Sequence, residues 1–168
     1  MPSFAELCNI VLAELRTIDP WPHRNDTRMH CKGDPSDVYP CFALGQVRKQ
    51  DVHDHLVESR YNAKYAALYD ACKALIAAHD PAFRWTTIQV NGVYQVAPHT
   101  DGRNAGLSYV IALGDFTGGE FFAEQSGVFD VHNKFALVDG HELHMCAPFE
   151  GERYSLVFFN MTPARPST

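Results

Sequence analysis

The apolar positions of this chain change period once, and that change divides it into two halves. Phe4, Leu7, Ile10, Val11 and Leu15 recur at spacings of three and four behind Ser3, a residue suited to cap a helix, so residues 4–16 are predicted to form a short amphipathic helix. From about 17 to 57 the pattern is irregular, with prolines at 20, 22, 36 and 40, which reads as a long loop holding one short strand at CFALGQV. A second helix follows: Asn62 can cap it, Tyr65, Leu68, Tyr69, Cys72, Leu75, Ile76 and His79 form its apolar stripe, and Asp80-Pro81 ends it.

Beyond it the period shortens to that of strands, through RWTTIQV, GLSYVIAL, GEFFAE, GVFDVH, KFALVD, HMCAP and RYSLVFFN, separated by Gly, Asp, Asn and Pro. Seven short strands in succession predict a barrel or sandwich. With no internal repeat and no linker, 168 residues suit one domain: helical support and a loop or lid over 1–83, a β core over 84–160, and a frayed tail over 161–168. The class is α+β.

Composition adds limits. Hydrophobic residues at 46% and charged ones at 20% describe an ordinary folded chain, expected to be a monomer. A net charge of −6 withholds the basic field that phosphate-backbone binders usually carry. The exception is local: Arg24, Arg28, Lys32, Arg48 and Lys49 face only Asp26, Asp34 and Asp37 between residues 23 and 50. That arm is either a solvated loop or a phosphate-contacting rim, for which Trp21 and Tyr39 would be the stacking aromatics. Five scattered cysteines without a CxxC pair read as reduced thiols. The acidic start MPSFAELCNIVLAELRTID is no secretory signal and no run approaches membrane-spanning length, so an intracellular protein is expected.

The candidate chemistry lies in the second half. In an extended segment residues i and i+2 share a face, so His99 and Asp101 of PHTD can offer two metal ligands from one strand end. His144 is a candidate third, and two imidazoles with one carboxylate form the facial triad of non-haem Fe(II) sites. Alone, HxD is more commonly a surface turn. Arg153 in RYSLVFF would, if buried, require an anion such as the distal carboxylate of 2-oxoglutarate, with Ser155 on the same face as a hydroxyl donor; if exposed, it would pair with Glu150 or Glu152. His53-Asp54-His55 has HxH spacing but no evident third ligand, and His132 and His79 read as strand and helix-end residues.

Together HTD, SYVIALGDFTGGEFF, the H-x3-P of HMCAP and GERYSLVFF resemble the Fe(II)- and 2-oxoglutarate-dependent dioxygenases over residues 84 to 160. With SRYN and FRWTTIQVN the resemblance reaches back to about residue 59 and is greatest to the TET/JBP-type branch, which oxidises methyl groups on pyrimidine bases. It implies a double-stranded β-helix (jelly-roll, cupin-like) core, Fe(II) on His99, Asp101 and His144, 2-oxoglutarate on Arg153, and O2 as oxidant. The expected reaction couples decarboxylation of 2-oxoglutarate to hydroxylation of a C–H bond. The family's pattern places a proline four residues past the last ligand and the arginine about ten past it, which Pro148 and Arg153 satisfy from His144 and not from His141. His141 is then a turn residue or a substrate contact. Relatives often use a first-strand polar residue on 2-oxoglutarate, for which Gln89 and Asn91 are candidates, with Tyr94 nearby as packing. A pyrimidine methyl group in DNA, RNA or a nucleoside is the leading substrate. A protein side chain, as in prolyl-hydroxylase-like relatives, a small metabolite, or a cupin-like module that binds without turnover are the alternatives.

Overall fold

The computed structural model describes residues 1–23, 28–49 and 55–161. Arg24 and Asp26 of the basic arm, His53 and Asp54, and the tail TPARPST lie outside them. Helix α1 (Phe4–Arg16) starts where the pattern predicts, because Ser3 and Glu6 cap each other's backbone N–H groups in a capping box. Leu7, Cys8, Val11 and Leu15 are its buried stripe; Ile10, expected on that stripe, is exposed instead.

The second predicted helix is divided into α2 (Tyr61–Lys64) and α3 (Ala66–His79). Tyr65, at φ −117° and ψ 46°, makes the break. Asn62 is therefore no cap. It lies inside α2 and uses its amide on a neighbouring strand, accepting from the Gly45 N–H (2.8 Å) and donating to the Gly45 carbonyl (3.0 Å). The end at His79, before Asp80-Pro81, is as predicted.

The strands form a six-stranded antiparallel sheet in the order β2 (Leu56–Glu58), β1 (Cys41–Arg48), β3 (Thr87–Asn91), β11 (Tyr154–Met161), β4 (Asn104–Leu113), β8 (Ala136–Val138). Smaller sheets pair β5 (Phe116–Gly118) with β10 (Phe149–Gly151), and order β7 (Gly127–Phe129), β6 (Phe121–Ala123) and β9 (His144–Cys146). The segment read as mostly loop thus supplies a full eight-residue strand, β1, between β2 and β3 of the large sheet. β2, β5 and β10 lie outside the predicted strand segments.

Alternation in the central strands separates the core from the site. Ile88 and Val90 of β3, Leu156 and Phe158 of β11, and Ile111 and Leu113 of β4 join α1 and α3 in one buried cluster. Their neighbours on the opposite face, Gln89, Asn91, Ser108 and Ser155, are polar and also buried. Buried polar groups must be satisfied, and this row of them marks the side of the sheet on which chemistry is built. No disulfide joins the five cysteines, all buried. Among the described residues no helix is long and apolar enough to cross a membrane.

Candidate metal centre

His99 and His144 form an isolated antiparallel bridge and exchange both N–H···O bonds, each 3.0 Å. That double bond fixes the two side chains opposite one another, with ring centroids 4.3 Å apart. Asp101 is held alongside by its own N–H on the Gly140 carbonyl (2.7 Å). A side chain at Gly140 would crowd the site, since a Cβ there would stand 3.0 Å from Asn104 Nδ2 and 3.5 Å from Asp101 Cβ.

One ligand atom from each of these three residues lies within 4.8 Å of the others. His99 Nδ1 is 2.7 Å from the Ala97 carbonyl and His144 Nδ1 is 2.7 Å from the Glu142 carbonyl, so each Nδ1 carries a proton and each Nε2 is the nitrogen that can bind a metal once it is deprotonated. Both Nε2 atoms face Asp101 Oδ2, at 3.5 and 3.3 Å. Neighbouring ligands of an octahedral ion at about 2.1 Å stand about 3.0 Å apart, close to the two Nε2–Oδ2 separations, and the chemistry of the donor set suits a divalent transition metal. Burial raises the affinity of the Asp101 carboxyl for a proton, but hydrogen bonds from His144 and His99 and the charge of Arg28 outweigh it and hold the group far below the usual carboxylate range. Burial works against a charged His144; its bonds to Asp101 and to the Glu142 carbonyl prevail and move it above the ordinary imidazole value.

Arg153 is buried, at 5% exposure, and makes no ion pair among the described residues. The alternative pairing is not formed: Glu152 accepts from Arg16 Nη2 at 2.7 Å and from the Tyr154 hydroxyl at 3.0 Å, while Glu150 is exposed. Arg153 Nε donates to the Gly119 carbonyl (3.1 Å) and the guanidinium lies over the rings of Phe116 and Phe149. Its terminal nitrogens are thereby left for an anion. Desolvation lowers the arginine's proton affinity, which an anionic occupant would restore.

Arg153 and the three-residue cluster line the same inner chamber, of about 80 Å3. Its polar wall is continuous: Tyr39 donates to Asn91 Oδ1 (2.6 Å), Gln89 Nε2 donates to the same atom (3.1 Å), and Asn91 Nδ2 donates to Ser155 Oγ (2.9 Å). The Asn91 and Ser155 bond follows from register, since the two are direct partners across β3 and β11. Beyond Gln89, His99, Asp101 and Arg28 the chamber adjoins a wider cleft of about 800 Å3.

The structure therefore gathers all seven predicted site residues, His99, Asp101, His144, Arg153, Ser155, Gln89 and Asn91, around one chamber. His141 stays outside it, an exposed turn residue bonded to Asp139. Tyr94 stacks on Tyr39 and bonds to Asp37, a packing role. Of the basic arm's described residues, Lys32 is buried, Arg28 turns inward to 3.7 Å from Asp101 Oδ1, and Arg28 and Arg48 line the outer cleft. The stacking rim is corrected, because Trp21 packs on Phe42 and Tyr154 and Tyr39 is wholly buried in the chamber wall. Arg28, His30 and Tyr39 are the site residues that pattern reasoning missed as such.

No protein-family model and no curated protein matches the sequence. Among solved structures the fold is similar to NgTET1 in complex with 5mC DNA, with a TM-score of 0.58 at 12% identity over 76% of this chain and 62% of that one. It is similar as well to an oxidoreductase of the 2OG-Fe(II) oxygenase family from Burkholderia pseudomallei, with a TM-score of 0.57 at 16% identity over 95% and 81%. The chain thus spans less than two thirds of the NgTET1 chain. The likeness shows the fold alone, a mixed α+β arrangement similar to that of these two structures, and in this chain it surrounds the cluster of His99, Asp101 and His144.

Proposed function

We propose that this chain is an Fe(II)- and 2-oxoglutarate-dependent dioxygenase acting on a pyrimidine methyl group. The observation that carries the reading is the pairing, in one chamber, of two imidazole Nε2 atoms and a carboxylate with a buried arginine whose terminal nitrogens lack an anion. His99, Asp101 and His144 would hold the iron. Arg153, with Ser155 and the Asn91 and Gln89 amides, would hold 2-oxoglutarate. Iron, 2-oxoglutarate and O2 together supply oxidative decarboxylation coupled to C–H hydroxylation.

The protein's share is positioning. The reciprocal His99 and His144 bridge fixes two ligands without reorganisation, and the Gly119 carbonyl aims the guanidinium. The small inner chamber would exclude water around the co-substrate, and the wider cleft would admit the substrate. In this reading residues 1–168 act as a single monomeric domain, and the six-stranded sheet and the smaller sheets are facing walls of a double-stranded β-helix.

The TET/JBP-type substrate rests on the motif resemblance and on the likeness to a structure that contains 5mC DNA. The net charge of −6 and the inward turn of Trp21 and Tyr39 favour 5-methylcytosine or thymine on a nucleoside, nucleotide or single strand over a duplex. The test loads the protein with Fe(II) and 2-oxoglutarate and offers methylated oligonucleotides, free nucleosides and proline-containing peptides, measuring succinate and the oxidised product by mass spectrometry. Succinate with a hydroxymethylated base is expected. Stimulation by peptides alone would sink the nucleobase substrate, and no 2-oxoglutarate turnover under any condition would sink the dioxygenase.

A further inference from the structure

The two oxygens of Asp101 face different neighbours. Oδ2 faces the metal side, with His99 Nε2 and His144 Nε2 at 3.5 and 3.3 Å. Oδ1 faces the segment before β1, with Arg28 Nη2 at 3.7 Å and His30 Nε2 at 3.6 Å. From this division we infer that residues 28–31 form a strap that keeps Asp101 a one-oxygen ligand, with Arg28 as its positioning residue; the inference rests on the metal-centre reading above.

The strap is anchored rather than laid on the surface. Met29–Cys31 forms one 3-10 turn, closed by the Cys31 N–H on the Arg28 carbonyl (2.9 Å). Cys31 is fully buried with Tyr39 and Cys41, and its carbonyl accepts from the Ala97 N–H (2.8 Å). Ala97 in turn holds the His99 ring, so the strap and the first ligand share one support. Arg28 has φ 56° and ψ 33°, a left-handed conformation uncommon for a residue with a side chain and typical of positions where function constrains the backbone. Its Nε is buried without a hydrogen-bond partner, so the guanidinium is held there at a cost that charge pairing with Asp101 offsets.

The consequence concerns open coordination positions. A carboxylate that turns both oxygens onto the ion takes up a position that a two-atom co-substrate needs. The Arg28 guanidinium draws Oδ1 away from that turn and also weakens the site's hold on a dication.

The test uses Co(II) as a spectroscopic stand-in for iron and needs no turnover. Wild-type protein is titrated with CoCl2, and loss of its absorption bands in His99→Ala establishes the centre. In Arg28→Gln the bands should shift and weaken as coordination number rises, Co(II) should bind roughly fivefold tighter, and 2-oxoglutarate should bind the cobalt form roughly tenfold more weakly. Arg28→Lys, which keeps the charge, should return the wild-type bands. An Arg28→Gln spectrum identical to wild type overturns the strap while leaving the metal centre intact. So does looser Co(II) binding with unshifted bands, the result of mere structural support. A wild-type protein that takes up no Co(II) overturns both readings.

Discussion

Arg153 lies where it does because Gly119 has no side chain. A Cβ at that position, which sits at φ +70°, would meet Arg153 Nε at 2.7 Å and Cδ at 2.8 Å. Gly119→Ala should therefore displace the guanidinium and weaken 2-oxoglutarate binding by about 10- to 100-fold, the worth of a charge-assisted contact. Calorimetric Mn(II) affinity should stay unchanged, because a Cβ at Gly119 meets Arg153 and Phe149 and not His99, Asp101 or His144; a parallel loss of metal would mean that the whole chamber had collapsed. His144 gives a second prediction, with a sign that can be worked out. Its proton affinity is raised in the metal-free protein, so its contribution to stability is complete below about pH 6.5 and is lost as pH rises through the higher folded value. Metal needs the deprotonated ring, so Mn(II) affinity should rise over the same interval in which metal-free stability falls, and paired titrations with thermal melts would read both. At this scale the sequence pointed to the three clustered residues, because HxD spacing and the distance from His144 to Pro148 and Arg153, read against the family's pattern, are local facts. Arg28, His30 and Tyr39 stayed hidden because a long-range bond, Cys31 carbonyl to Ala97 N–H, brings their segment to the site.

Elements that carry a full period of their own were legible, and those that borrow order from a partner were not. α1 and the end of α3 followed from spacing and caps, and β3, β4 and β11 from alternation. β5 and β10 exist only as a pair, with Phe149 opposite Gly118, and no three-residue run announces its partner. The α2 break at Tyr65 was equally silent, since Asn62 makes its decisive bonds to Gly45, a residue far away in sequence. The sheet's two-sided alternation leads to a prediction at this scale. Leu75 of α3 is fully buried in the cluster under the sheet, on the face opposite the chamber. Leu75→Ala should cost about 2–5 kcal/mol in urea unfolding while leaving metal affinity near wild type. Ser3→Ala, which opens the α1 capping box, should cost about 1 kcal/mol in the same experiment.

The molecule as a whole is acidic, and that weighs on what can reach the cleft. With a net charge of −6, the field at a distance repels a polyanion, and no long-range attraction gathers duplex DNA. Close to the site the sign reverses: Arg28, Arg48 and Arg103 line the outer cleft, and Asp101 is the only carboxylate among its described lining residues. A short-range cationic cleft on an acidic body suits one or two phosphates rather than a long backbone. Affinity for a methylated single-stranded oligonucleotide should then fall with salt at a log–log slope of about −1, as for neutralising one or two charges, and duplex binding at physiological salt should be weaker than about 10⁻⁴ M. Fluorescence anisotropy across a salt series measures both. A slope of several units with micromolar duplex affinity would require a broad basic surface and would overturn the reading of one or two phosphates.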